Sequence, residues 1–264
     1  MYNFDYHRPA SLAEAASALQ GSDEAKLLAG GQTLLATMKQ RLASPSDLID
    51  LSGIGELKGI SVEGDTLVIG AMTTHAEVAK SDVVKGFCAA LAKLAGGIGD
   101  PQVRHRGTIG GSIANADPAA DYPAAVLGLG ATVVTNKREI PADSYFTGLF
   151  ETALEDGEIV TQVRFPKPQR AGYAKFANPA SRYAIVGVFV SQGPSGVRVA
   201  VTGAGPSAFR VSEMEQALAG NFSPDAIAGI SVPSDGLNSD IHASADYRAH
   251  LVNVMARRAV ESAS

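Results

Sequence analysis

Two short glycine-rich segments carry the residue types best suited to chemistry: Ala29-Gly30-Gly31-Gln32-Thr33 and Thr108-Ile109-Gly110-Gly111-Ser112. Each reads as a turn that offers backbone N–H groups to an anion, because glycine has no Cβ to block close approach and takes φ > 0 at little cost. Each also brings a hydroxyl, Thr33 or Ser112, as a further donor. A diphosphate held between the two by roughly four charge-assisted bonds of about 1.5–3 kcal/mol gains a gross energy comparable to the about 8 kcal/mol of micromolar binding. Taken singly, either segment also fits an ordinary Gly-Gly reverse turn, so it is the pair that points to a ligand.

Other chemistry is sparse. Gly203-Ala204-Gly205-Pro206-Ser207-Ala208 fits G-x-G-x-x-A, yet Pro206 removes an N–H and no following strand ends in an acidic residue to hold a ribose. It reads as a turn leaving a sheet. The five histidines, His7, His75, His105, His242 and His250, lack the spacing of a metal site and suit surface or capping roles. Neither a G-x-S-x-G elbow nor an acid/base pair of telling spacing is present, so no catalytic residue is assigned. Arg104-His105-Arg106 either raises the positive potential near a phosphate or forms a solvated basic loop. Asp117 and Asp121 can cap the next helix or accept from ribose hydroxyls. The lone Cys88 excludes an intrachain disulfide, a Cys-ligated iron–sulfur cluster and a Cys-rich zinc site, and suits the interior of a helix over Phe87–Leu91.

The elements that must position these residues follow from periodicity. The capping-box spacing Ser11-Leu12-Ala13-Glu14 predicts a helix to Gln20 closed by Gly21, then a strand at Lys26–Leu28 that runs into the first turn. Leu34, Leu35, Met38 and Leu42 recur at helical spacing, giving a helix through Arg41. Strands follow at 47–51 and 66–70, a helix from Thr74 and a longer one over 83–95. Residues 96–112 read as a long irregular stretch that contains the second turn, of the length that is usually functional. A helix at 122–129 and strands at 131–135 and 158–165 complete a mixed unit. Beyond Pro166 and Pro168, β-rich runs at 173–177, 183–192 and 197–202 and helices at 210–218, 224–228 and 245–262 make a second sheet-plus-helices domain. With 264 residues, 45% hydrophobic against 19% charged and a net charge of −5, the chain is long enough for two domains and lacks the basic footprint of a nucleic-acid binder. No stretch approaches the roughly 20 apolar residues of a membrane span and the N-terminus carries no leader pattern, so a cytoplasmic location is expected.

At Lys26–Leu42 and Arg106–Asp121, the latter Arg-Gly-Thr-Ile-Gly-Gly-Ser-Ile-Ala-Asn-Ala-Asp-Pro-Ala-Ala-Asp, the chain resembles the FAD-binding medium subunits of molybdenum hydroxylases, typified by aerobic carbon monoxide dehydrogenase. The resemblance spans essentially the whole chain. It implies an α+β fold: a PCMH/vanillyl-alcohol-oxidase-type FAD-binding domain over residues 1–171, in lobes of about 1–55 and 56–171, then a carbon monoxide dehydrogenase flavoprotein C-terminal domain over 172–264. It further implies non-covalent FAD, its diphosphate between the two glycine segments. The matching positions are Ala29, Gly30, Gly31, Gln32, Thr33 and Leu34, then Thr108, Ile109, Gly110, Gly111, Ser112, Asn115 and Asp121. The resemblance also implies that Ile98 and the backbone of Val160 fall where relatives touch the flavin, and Tyr183 where a relative's aromatic residue lies near the ring. Where relatives carry basic residues after Tyr173-Ala174-Lys175-Phe176, this chain has Ala177-Asn178-Pro179. The implied partners are a large molybdenum-cofactor subunit and a small subunit with two [2Fe–2S] clusters, in a dimer of heterotrimers, with a quinone or another acceptor taking the electrons. A self-contained flavin oxidoreductase of the same PCMH-type fold, acting on its own substrate, is the alternative.

Overall fold

In the computed structural model, which describes residues 1–264, the N-terminal lobe is built on a three-stranded parallel sheet. β1 (Asp5–His7) and β2 (Lys26–Leu28) flank β3 (Asp47–Asp50). α1 (Leu12–Gln20) starts where the capping-box spacing places it, with Ser11 Oγ accepting from the Glu14 amide, and ends at Gly21. α2 (Leu34–Lys39) is shorter than the apolar spacing suggests: Arg41 takes a left-handed φ of 60°, which no helix continues through. Ala15, Ile49, Leu51 and Ile54 form the lobe's core with Leu57, Met72 and Ile159 from beyond it.

The second lobe opens with the hairpin β4 (Ile60–Glu63) and β5 (Thr66–Gly70). α3 (His75–Lys80) carries a full capping box between Thr74 and Glu77. The single helix expected over 83–95 is two, α4 (Asp82–Phe87) and α5 (Ala89–Gly96), broken where Cys88 turns extended at φ −154°. Gly86 and the β-branched Val83-Val84 are weak helix formers just ahead of the break. Cys88 is therefore buried at a joint, not inside a helix. Residues 96–112 are not irregular either: α6 (Pro101–Arg104) is capped by Asp100 and α7 (Ile109–Asn115) by Thr108. α8 (Tyr122–Leu129) is buried along its whole length. β6 (Thr132–Thr135), β7 (Glu139–Pro141), the small hairpin β8 (Phe146–Gly148) with β9 (Glu151–Thr152), and β10 (Val160–Pro166) follow. The five-stranded antiparallel sheet has the order β4-β5-β10-β6-β7.

The C-terminal part is an antiparallel meander, β11 (Arg170–Ala177), β12 (Ala184–Gly193), β13 (Gly196–Thr202) and β14 (Phe209–Arg210), with α9 (Ser212–Gly220) and α10 (Ala245–Glu261) packed on it. Side chains alternate along a strand, so Val186, Val188 and Val190 of β12 face the core shared with α10, while Phe189 faces α8. Gly128 lets Phe189 settle there, since a Cβ on Gly128 would lie 2.8 Å from the ring. Gly203, at φ 85°, turns the chain out of β13 and packs against the Ala184 and Ile185 carbonyls. This is a meander exit, as the sequence indicates, with no parallel βαβ unit around it. No helix is long and apolar enough to cross a membrane.

Candidate cofactor site

A cavity of about 570 Å³ lies between the N-terminal lobe, the α6–α8 region and the 181–183 loop, within the range of small-molecule sites. Ala29 to Leu34 line one wall. Thr108, Gly110, Gly111, Ser112 and Asn115 line the facing one, and Ile98, Asp121, Val160 and Tyr183 complete the lining. Ile109 is the exception among the expected positions. It is fully buried in the central core, where α7 packs on the sheet, and its amide donates to the Thr73 carbonyl at 3.1 Å.

The two glycine segments look alike in sequence and differ in their hydrogen bonding. In the first, the amides of Gly30, Gly31, Gln32, Thr33 and Leu34 donate to nothing within the protein. In the second, the four amides from Ile109 to Ser112 are all spent. Ile109 donates to Thr73, Gly110 to the Ala71 carbonyl at 2.8 Å, Gly111 to Thr108 Oγ1 at 3.1 Å and Ser112 to the Thr108 carbonyl at 3.0 Å. The expected pair of bare turns is thus one bare turn facing a capped helix, because Thr73 and Ala71 accept its first two amides and Thr108 the next two. What the α7 side offers the cavity is side chains, Ser112 and Asn115, neither of which has a hydrogen bond within the protein.

The glycines divide the same way. A Cβ on Gly30 would lie 2.2 Å from the Arg106 carbonyl oxygen, and one on Gly110 would lie 2.5 Å from Ala71 Cβ. Both therefore serve backbone-to-protein contact. Gly31 takes a left-handed φ of 71°. Gly111 faces the gap between the walls: a Cβ there would lie 3.0 Å from Thr108 Oγ1 and 3.3 Å from Ala29 Cβ.

At the end holding Ile98, Val160 and Tyr183, Asp121 is buried and starts α8 without capping it. Its Oδ1 accepts from Tyr173 Oη at 2.6 Å and from Lys175 Nζ at 2.9 Å, while Oδ2 has no partner within the chain. Burial raises its pKa, opposed by the Lys175 charge. Lys175 Nζ also donates to the Gly97 and Arg182 carbonyls, both at 2.9 Å, so one ammonium ties β11 to the loops that carry Ile98 and Tyr183. Arg104 Nη1 donates to the Ile98 and Gly99 carbonyls at 2.9 and 2.8 Å. Of the basic triplet, then, Arg104 holds the Ile98 turn from behind, while His105 and Arg106 are exposed. Asp117 lines the cavity, with its pKa raised by burial.

His75 departs most from the reading of the histidines as surface or capping groups. It is buried against the cavity, under Gly107, with its Nδ1 unpaired. Burial and then the nearby Arg104 charge push its pKa down to about 4, so the ring is neutral. Neither it nor Lys175 carries a sequence signal, since both sit in ordinary amphipathic runs.

A family model described as "FAD binding domain in molybdopterin dehydrogenase" matches residues 2–168. The carbon monoxide dehydrogenase medium chain of Hydrogenophaga pseudoflava is 38% identical over 281 residues, covering 98% of this chain and 96% of the relative. The nicotine 6-hydroxylase medium subunit of Paenarthrobacter nicotinovorans is 37% identical, with 98% and 96% covered. Among solved structures, reconstituted CO dehydrogenase from Oligotropha carboxidovorans superposes with a TM-score of 0.90 at 35% identity, covering 99% of this chain and 97% of that one. Quinoline 2-oxidoreductase from Pseudomonas putida 86 gives 0.89 at 30% identity, with 98% and 96% covered.

Proposed function

Because the chain belongs to the FAD-binding subunits of the molybdopterin dehydrogenases, we propose that it is the electron-transfer subunit of a molybdenum hydroxylase most like aerobic carbon monoxide dehydrogenase. In this reading it takes electrons from the [2Fe–2S] clusters of a small partner and passes them to a quinone or another acceptor, while a large partner holds the molybdenum cofactor and oxidises substrate. The assembly is a dimer of such heterotrimers.

The observation that carries the reading is the run of five unpaired amides, Gly30 to Leu34, on one wall of the cavity. Gly30, Gly31 and Leu34 are half-buried, and N–H groups removed from solvent are almost always paired in proteins, so such a row supports an external acceptor there. A diphosphate fits that donor set, with Thr33, Ser112 and Asn115 as polar neighbours, and FAD carries one. When bound, FAD supplies the one- and two-electron redox chemistry. The protein's share is then to bind and orient. The Gly30–Leu34 amides hold the anion, Ile98 and Val160 make an apolar wall at the ring end, and Tyr183 closes it from the C-terminal side. Lys175 and Arg104 keep that wall in place through the Gly97–Gly99 carbonyls.

Relatives named for carbon monoxide and for nicotine match the chain at 38% and 37% identity. That near-equality supports a division of labour in which substrate choice lies in the molybdenum subunit. The test is a visible spectrum of the assembled complex with mass analysis of the released cofactor, followed by stopped-flow reduction by substrate. FAD that is released without covalent attachment and reduced after the iron–sulfur centres supports the reading. Steady turnover of an organic substrate by the isolated chain would instead establish the self-contained oxidoreductase.

A further inference from the structure

Hydrogen bonding divides this molecule unevenly. The C-terminal sheet is tied to the second lobe by side chains and backbone alike. Lys175 and Tyr173 bond Asp121, Ser191 bonds the Gly128 carbonyl, Arg198 bonds the Leu127 carbonyl and Asp143, and the Gly203 amide bonds the Pro118 carbonyl. Residues 1–56 have nothing comparable. Every hydrogen bond that crosses from them to residues 57–264 lies at the junction itself: Leu57 N to Ile54 O, Lys58 N to Gly55 O, and Lys58 Nζ to Ser52 O. No ion pair crosses at all; His7–Asp47 stays within the lobe.

What holds the lobe shut is one apolar cluster, Ala15, Ala25, Ile49, Leu51 and Ile54 from the lobe with Leu57, Met72 and Ile159 from the body, together with the close approach of Gly30 to the Arg106–Gly107 backbone, of Ala29 to Gly111 and of Gln20 to Gly157. The neck between Asp50 and Leu57 is two short 3-10 turns containing Gly53 and Gly55. Gly59, just past it, takes φ 117°, and neither Gly55 nor Gly59 has any atom within 4 Å of where a Cβ would stand. The body's own bonding begins with Leu57, whose carbonyl accepts from Met72 N at 2.8 Å. The cavity wall with the unpaired amides belongs to the lobe, and the facing wall belongs to the body.

We propose that residues 1–56 are a jaw hinged on the Ser52–Glu56 neck, which swings away to admit the diphosphate cofactor and is then fastened by it. The inference rests on the FAD reading above. A small seam that no hydrogen bond or ion pair crosses beyond the neck itself is where hinge motion meets least resistance, and a ligand held by both sides supplies the polar bridge that the protein lacks.

Amide hydrogen exchange on the full chain in its complex, with FAD and after its removal, tests this directly. Without FAD, amides of residues 26–50 should exchange about tenfold faster or more, while those of β10 to β13 keep their rates. Equal rates in both states, or a loss of protection spread over both parts, overturns the jaw. A second test bridges the seam away from the cavity, where a Cβ on Gly157 would lie 3.6 Å from Gln20 Cγ; Gly157 takes φ 72°, which strains a side chain there, so the reduced double variant is the reference. The Gln20→Cys/Gly157→Cys pair, once oxidised, should slow FAD uptake about tenfold or more, with dithiothreitol restoring it. Uptake indifferent to the bridge overturns the jaw while leaving FAD binding intact. A wild-type complex that, after incubation with FAD and removal of the excess, releases no FAD to mass analysis overturns the FAD reading, and the jaw falls with it.

Discussion

Gly110 and Gly111 are neighbours in one motif, and the structure separates their roles cleanly enough to test with a pair of valine variants. At Gly110 a side chain starts 2.5 Å from Ala71 Cβ and 2.7 Å from the Ala71 carbonyl oxygen, which is also the acceptor of the Gly110 amide. Overpacking costs about 1–3 kcal/mol and the strained hydrogen bond about 1 more, so Gly110→Val should lose about 2–4 kcal/mol of stability. For a chain of this size that lowers the melting temperature by roughly 5–15 °C. At Gly111 the nearest obstacles are Thr108 Oγ1 at 3.0 Å and Ala29 Cβ at 3.3 Å, across the gap between the walls. Replacing a helical glycine recovers a few tenths of a kcal/mol, which offsets mild crowding, so Gly111→Val should melt within a few degrees of wild type. Its branched side chain pushes the Ala29 loop off the anion instead. Losing two charge-assisted amide bonds of about 1.5–3 kcal/mol each weakens FAD binding by about 3–6 kcal/mol, or roughly 10²- to 10⁴-fold. Calorimetric melting of the FAD-free protein and titration of flavin fluorescence read the two effects separately. A Gly111→Val protein that binds FAD like wild type, or that is as destabilised as Gly110→Val, would refute the assignment.

Three further outcomes are expected. Asp121→Ala strands Lys175 with a buried, uncompensated charge and leaves Tyr173 Oη without its acceptor, so urea unfolding should show a loss of about 3–5 kcal/mol. An unchanged midpoint would mean that the pair contributes nothing. His75 is held neutral, its pKa lowered from 6.5 to about 4, so the unfolded chain takes up the proton first as pH falls. The stability is complete above pH 6.5 and about 3 kcal/mol of it is lost by pH 4; His75→Leu should flatten that part of the profile. Cys88 is buried with its thiol pushed up to about 11, so Ellman's reagent should label it only as fast as the protein unfolds. Rapid labelling of the native protein would contradict its placement at the α4–α5 joint.

How much of this was legible in the sequence depended on whether the cause was local. The Ser11 and Thr74 caps, the first glycine turn and the strand that feeds it follow from spacing alone, and the structure has them in place. The α7 helix was illegible because Ile-Gly-Gly-Ser has poor helix propensity; it forms because Thr108 caps it and Ala71 and Thr73 accept its first amides, contacts about 35 residues distant in sequence. The same tertiary bonds explain why Ile109 is core and why only one of the two glycine segments is bare. Cys88 marked a break, which apolar periodicity smooths over. Lys175 and His75 gained their roles from burial, and burial of an ordinary residue leaves no mark on its neighbours.

β12 has one more consequence, for where such a gene can be cut. Its two faces serve two different cores, with Val186, Val188 and Val190 turned toward α10 and Phe189 toward α8. The match to the family model ends at residue 168. A chain severed there would leave α8 without Phe189 and Ala200 and Asp121 without Lys175, baring an apolar wall on each fragment. Fusion and transplantation of this flavin module between hydroxylases should therefore keep residues 57–264 together and place any exchange in the neck before Leu57, where the molecule's own bonding is thinnest.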